Sequence, residues 1–229
     1  MALADPFFWT ALAKIIGVNI VLSGDNAVVI ALAARSLPRK QQKQAIFWGA
    51  GAAIVLRIIL TLFAVALLAL PWLKLVGSVL LLWIGIKLLV PEEGDDDITA
   101  SDNLFVAIRT ILVADLIMSL DNVIAVAAAA GGDKVLLVLG LAISIPLVIF
   151  GATLLVKLME RFPIIITIGA ALIGFVAGEM AWEDQAIAAW TSPYPPDLKY
   201  AAAVVGAVVV VAWGRLLARR AQAQKPALE

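Results

Sequence analysis

The chain contains no cysteine and no histidine. That removes disulfides, thiolate and imidazole metal ligands, and cysteine or histidine catalysis in one step. Charge is scarce too. Only 15% of the 229 residues are charged, against about 25% in a typical soluble domain. Seventeen basic residues balance seventeen acidic ones, so the chain has no net charge with which to attract nucleic acid. The alternating segments of ~10 residues that build a transmembrane barrel are missing as well. What is present is apolar: 63% of residues are hydrophobic and the mean hydropathy is +1.04.

Runs of about 20 apolar residues recur, each enough to cross a ~30 Å hydrocarbon core as a helix. They predict an all-α membrane protein forming one transmembrane domain of seven helices, at 7–34, 45–70, 72–90, 104–130, 135–158, 163–181 and 199–219. The breaks are chemically sensible. Residues 35–44 (RSLPRKQQKQ) form a basic loop, and Pro71 parts the second and third spans. Residues 91–103 (PEEGDDDITASDN) form an acidic loop, Gly131 and Gly132 end the fourth span, and Pro163 opens the sixth. The connector 182–198 carries SPYPP and is expected to be irregular. The opening MALADPFFW lacks a basic region and a small-residue cleavage site, so Phe7 onward is expected to be a retained span. Twelve of the seventeen Lys and Arg fall on the side of the 35–44 loop, and only Lys74, Lys134 and Lys199 on the other. The positive-inside rule then places the N-terminus outside and the C-terminus in the cytoplasm. Trp9, Trp72, Trp182 and Trp190 sit near the predicted interfaces as anchors, and Gly174 and Gly178 form a GxxxG packing face.

Two of the apolar segments carry the same polar insert. NIVLSGDNAVVIALAA at 19–34 aligns, at a constant offset of 96, with DLIMSLDNVIAVAAAA at 115–130. Six of the sixteen positions are identical, and Ser, Asp and Asn keep their spacing. The copies open the first and fourth spans, three crossings apart, so they cross in opposite directions. The sequence therefore predicts two inverted three-helix repeats, 7–90 and 104–181, with 199–219 as an extra helix. Transporters built this way hold their substrate near the midplane, where the repeats meet.

A carboxylate inside a span costs about 2.5–3.5 kcal/mol on insertion scales. Asp25, Asp115 and Asp121 must therefore face one another, a cation, a basic residue or water. Asn19, Ser23 and Asn26 fall on one helical face, and Asp115, Ser119 and Asn122 repeat that face in the second copy. Gly24 allows the first helix to bend and free carbonyl oxygens, whereas the second copy has Leu120 there. The donors are all oxygens, a set that suits the hard ions Mn²⁺, Ca²⁺ or Mg²⁺ and disfavours anions. Three carboxylates exceed one divalent charge, so either one is protonated or Arg57, mid-way along the second span, supplies a counter-charge. Glu179, near the outer end of the sixth span, is an accessory candidate for an exit path, interfacial solvation being its ordinary reading. Ser23, Ser119 and the asparagines have a structural reading too, as glue between helices.

LSGDNAVVIALAARSLP at 22–38, VADLIMSLDNVIAVAAAA at 113–130 and FPIIITIGA at 162–170 resemble the TerC family of integral membrane proteins, in its small bacterial branch. The resemblance implies a seven-span inverted-repeat fold in the bacterial inner membrane and export of Mn²⁺ from the cytoplasm. It implies metal binding at Asp25, Asn26, Asp115, Asp121 and Asn122. The position of Asn19 is acidic in many members of that family, and its neutral amide here lightens the site by one charge. The expected partners are a divalent ion as cargo and the lipid bilayer, with a second copy of the chain left open. No prosthetic group and no enzymatic activity are expected. Two alternatives stay open: export of Ca²⁺ or a cationic amino acid, and, more remotely, an intramembrane aspartyl protease using the paired aspartates.

Overall fold

The computed structural model describes residues 6–68, 70–90, 100–130 and 133–223; within these helices the side chains of residues 6, 7, 21, 62, 64–68, 100–102, 121, 123–125, 127–130, 134 and 222 lie outside the description. Among the described residues the regular elements are helices: α1 (Pro6–Leu22), α2 (Gly24–Ala34), α3 (Arg39–Leu68), α4 (Leu73–Leu89), α5 (Ala100–Ala130), α6 (Lys134–Arg161), α7 (Ile164–Trp182), α8 (Ala188–Thr191) and α9 (Leu198–Ala223). Five of them, α3, α5, α6, α7 and α9, are long and apolar enough to cross a bilayer. The count is six if α1 and α2, bent by 48° at their junction, form one broken span. The helix in the expected third span, α4, has 17 residues, about 26 Å at 1.5 Å per residue, and falls just outside that set.

Two expected boundaries shift. The basic loop at 35–44 shrinks to a turn, because α3 starts at Arg39 and Gln42 N–H already donates to Pro38 O at 2.8 Å. Arg, Lys and Gln are strong helix formers, and proline suits the first turn, so the helix runs on past its apolar stretch. The 182–198 connector holds a 3₁₀ turn (Gln185–Ile187) and the single-turn α8 before its prolines. Residues 91–99 of the acidic loop and the Gly131–Gly132 pair lie outside the described residues, and 100–103, expected in that loop, already belong to α5.

The helices group into two compact units. The first comprises α1, α2, α3, α5 and most of α6. Phe8, Leu12 and Ile15 of α1 pack there with Ile54 of α3, Val126 of α5 and Leu136, Leu137 and Leu141 of α6. Gly140 is required in that contact, since a methyl group there would run into Ile15.

The second unit comprises α4, α7, α8 and α9, with α7 packed on both α4 and α9. Gly174 and Gly178 face Gly206 and Ala202 of α9; a Cβ at Gly174 would lie 2.5 Å from Gly206 O. The GxxxG face is thus a backbone-to-backbone helix contact, as small residues allow. Asp184, buried after α7, ties this unit to the start of α4. It accepts from Trp72 N–H at 3.0 Å, Leu75 N–H at 2.9 Å and Ala186 N–H at 2.7 Å. Trp72 sits in the left-handed region at φ 72°, a conformation unfavourable for a bulky residue and held here by that carboxylate. Around both units large apolar side chains point outward, among them Phe47, Trp48, Trp83, Phe105, Phe150 and Trp213. Apolar surface on this scale fits lipid and not water.

Candidate functional site

The first polar insert breaks its helix. Between α1 and α2, Ser23 forms a turn (φ −111°, ψ 3°), with its N–H on Ile20 O at 3.3 Å and its O accepting from Ala27 N–H at 3.0 Å. The break frees a main-chain carbonyl, and the second insert fills it: Asn122 Nδ2 donates to Leu22 O at 3.0 Å. The second copy, with leucine in place of glycine, runs unbroken through α5. Asp25 opens α2, where a carboxylate is favoured by the helix dipole, and its Oδ1 accepts from Asn26 N–H at 2.8 Å.

The centre of the site is Arg57 of α3, 3% exposed. Its guanidinium gathers oxygens from both inserts. NH1 donates to Asn19 Oδ1 and to Ser23 Oγ, both at 2.9 Å. Nε donates to Ser119 Oγ at 3.0 Å, and NH2 makes an ion pair with Asp115 Oδ1 at 2.6 Å. Ser119 Oγ in turn donates to Asp115 Oδ2 at 3.1 Å, and Ser23 Oγ to Asn19 Oδ1 at 3.3 Å. All five residues are buried. Arg57 is held from behind by its own helix, where Thr61 Oγ1 donates to Arg57 O at 2.7 Å.

A small cavity adjoins the cluster, lined by polar Asn19, Ser23, Asn26, Arg57 and Asp115 and closed by apolar Ile30, Ala50, Ala53, Ile54 and Val148. It has room for about one water-sized group. Three buried polar atoms on its wall, Asn26 Nδ2, Asn26 Oδ1 and Asn19 Nδ2, have no hydrogen-bond partner. Such atoms carry a penalty of about 1–3 kcal/mol unless something bonds to them.

The structure thus brings together Asn19, Ser23, Asn26, Arg57, Asp115 and Ser119. It brings Asn122 onto the α1–α2 break and leaves Asp25 half-buried, within electrostatic reach of both Arg57 and Asp115. Asp121 lies on α5 with its side chain outside the described residues, and among the described residues no three acidic side chains converge as a metal cluster. Glu179 is elsewhere, in the second unit, paired with Lys199 at 2.9 Å. Arg57 was legible as a counter-charge but not as the hub on which both copies converge. Asp184 was not singled out from the sequence, although an aspartate immediately before a short helical turn is a capping signal.

A family model described as the integral membrane protein TerC family matches residues 4–222. The uncharacterized membrane protein YjbE of Bacillus subtilis is 46% identical over 175 residues, 76% of this chain and 80% of that one. The uncharacterized membrane protein YceF of the same organism is 28% identical, covering 78% of this chain and 73% of its own. The inner membrane protein YgdQ of Escherichia coli K12 is 27% identical, covering 70% of this chain and 75% of its own. No solved structure matches the chain.

Proposed function

The chain belongs to the TerC family of integral membrane proteins, and from that premise we propose that it is a transporter exporting a hard divalent cation, Mn²⁺ foremost, through the cavity beside Arg57. One observation carries this reading. Oxygens of Asn19, Ser23, Asp115 and Ser119, drawn from both polar inserts, already surround a buried positive charge, and the Asn26 amide oxygen stands unused beside them. Hard cations replace their water shell with just such carboxylate, amide and hydroxyl oxygens. With both carboxyls ionised, Asp25 and Asp115 leave the site one negative charge beyond Arg57.

In this reading α1 and α2 form one broken span and α4 a seventh, so that 7–90 and 104–181 are inverted repeats and α9 stands outside them. The grouping of helices supports it: the first unit takes the first two helices of each copy, and the second takes the third helix of each. The N-terminus then lies outside and the C-terminus in the cytoplasm, by the lysine and arginine distribution. The site works without enzymatic chemistry. An aspartyl protease would instead need Asp25 and Asp121 to share a proton, and Asp25 has its Oδ1 committed to Asn26 N–H.

A second cargo has one observation in its favour: the seat holds a guanidinium, the head group of a cationic amino acid. The size of the cavity favours a bare ion. Radiolabelled Mn²⁺ uptake into inverted membrane vesicles, with Ca²⁺ and arginine as competitors, separates the two. Asp25→Asn and Asp121→Asn are expected to abolish both that uptake and the manganese tolerance of cells while the protein still inserts. Unchanged uptake in both variants rejects the reading.

A further inference from the structure

In the transporter just proposed, on which this inference rests, the cation seat is not open. The atoms best placed to bind an ion, Asp115 Oδ1, Asn19 Oδ1 and Ser23 Oγ, each accept a hydrogen bond from Arg57. A divalent ion sits at about 2.0–2.6 Å from its oxygen ligands. Bound to those atoms, it would compete with the guanidinium nitrogens for the same lone pairs, with two like charges brought into contact. Ion and guanidinium therefore exclude each other. We propose that Arg57 is a tethered stand-in for the transported cation: it fills the seat when no ion is present and must vacate it for the ion to bind.

The arrangement has a physical rationale. An empty site would leave Asp115 buried with the Ser119 hydroxyl but no counter-charge, a costly state inside a bilayer. Arg57 neutralises it and lets the empty carrier exist with its polar groups satisfied. When the ion arrives, the oxygens it meets uncommitted to Arg57 are those of Asn26 and of the half-buried Asp25, with Asp115 Oδ2 held by Ser119 instead. Asp25 also lies within electrostatic reach of Arg57, so a displaced guanidinium stays next to negative charge. Arg57 thus sets the affinity of the seat, because the ion sees only the fraction of molecules in which arginine has left.

The test uses the purified full-length protein in lipid nanodiscs, with thermal unfolding followed against Mn²⁺, Ca²⁺ and methylguanidinium. Arg57→Ala vacates the seat. Arg57→Lys keeps the charge beside Asp115 but has a compact ammonium that cannot span the same four oxygens, and it serves if the alanine variant does not fold. The expected result is an Mn²⁺ half-saturation at least about tenfold lower in Arg57→Ala than in the wild type, with a smaller gain in Arg57→Lys. Methylguanidinium at low millimolar concentration should stabilise Arg57→Ala and leave the wild type unmoved, and adding Asp115→Asn should remove both responses. Equal or weaker Mn²⁺ binding in the Arg57 variants overturns the stand-in role and leaves the transporter reading intact. A response of Arg57→Ala to methylguanidinium, with none to either divalent ion in any form, supports the seat and transfers it from divalent ions to organic cations. That outcome sinks the divalent-ion reading alone.

Discussion

Asn122 of the second polar insert donates its side-chain amide to the main-chain carbonyl of Leu22, the residue at which the first insert breaks its helix, at 3.0 Å. Two segments 96 positions apart in register are thereby joined, side chain of one to backbone of the other. The break in α1–α2 and the continuity of α5 are complementary: one copy exposes a carbonyl and the other supplies the donor.

Asn122→Ala leaves the Leu22 carbonyl unpaired. The expected loss is about 1–2 kcal/mol, seen as a lower unfolding temperature. Asn122→Asp offers no amide donor and should not restore the wild-type value.

Arg57 and Asp115 should be coupled in a double-mutant cycle. Removing either partner alone strands a buried charge and is expected to cost about 3–5 kcal/mol. The Arg57→Met/Asp115→Leu pair should cost clearly less than the sum of the single changes. Denaturant unfolding of the four proteins measures the coupling, and strict additivity would mean that the ion pair carries none of the stability.

Gly178 in α7 has no room for a side chain, because a Cβ would strike the backbone of Ala202 and Ala203 in α9. Gly178→Val should separate the two helices at a cost of at least ~1–3 kcal/mol. Gly24→Ala is the control: a Cβ there meets nothing within 4 Å, and stability should hold within about 1 kcal/mol.

Acid should loosen the connector between α7 and α9. Burial works to raise the Asp184 carboxyl, but the N–H groups of Ala186, Leu75, Trp72 and Lys74 outweigh it and hold the group below the usual carboxylate range. For Glu183 partial burial again pushes upward and is outweighed by Lys74 and Lys199. A carboxyl lowered by folding stabilises fully above its unfolded value near ~4 and loses that contribution as pH falls through the folded value. Stability should thus decline from about pH 5 downward, and less steeply in Asp184→Asn. Thermal unfolding across that range gives the comparison.

The residue types that make up the site were plain in the sequence. Helical spacing alone put Asn19, Ser23 and Asn26 on one face and Asp115, Ser119 and Asn122 on another, because that periodicity is fixed by backbone geometry. Gly24 marked the break for a related reason, as a glycine inside an apolar helix has no packing role to defend. Run lengths of apolar residues placed the long helices to within a few residues, missing most at Arg39, where helix propensity continued beyond hydrophobicity.

Which groups meet was a different matter. An arginine 58 positions from Asp115 has no periodic relation to it; only the packing of α3 against α1 and α5 brings guanidinium and carboxylate to 2.6 Å. The same holds for Asp184 under Trp72, and for the separation of Glu179 into the second unit. Periodicity within one helix is a local property and survives in the sequence. The pairing of charges between helices depends on rotation and depth of each helix in the bundle, and many packed side chains set these together.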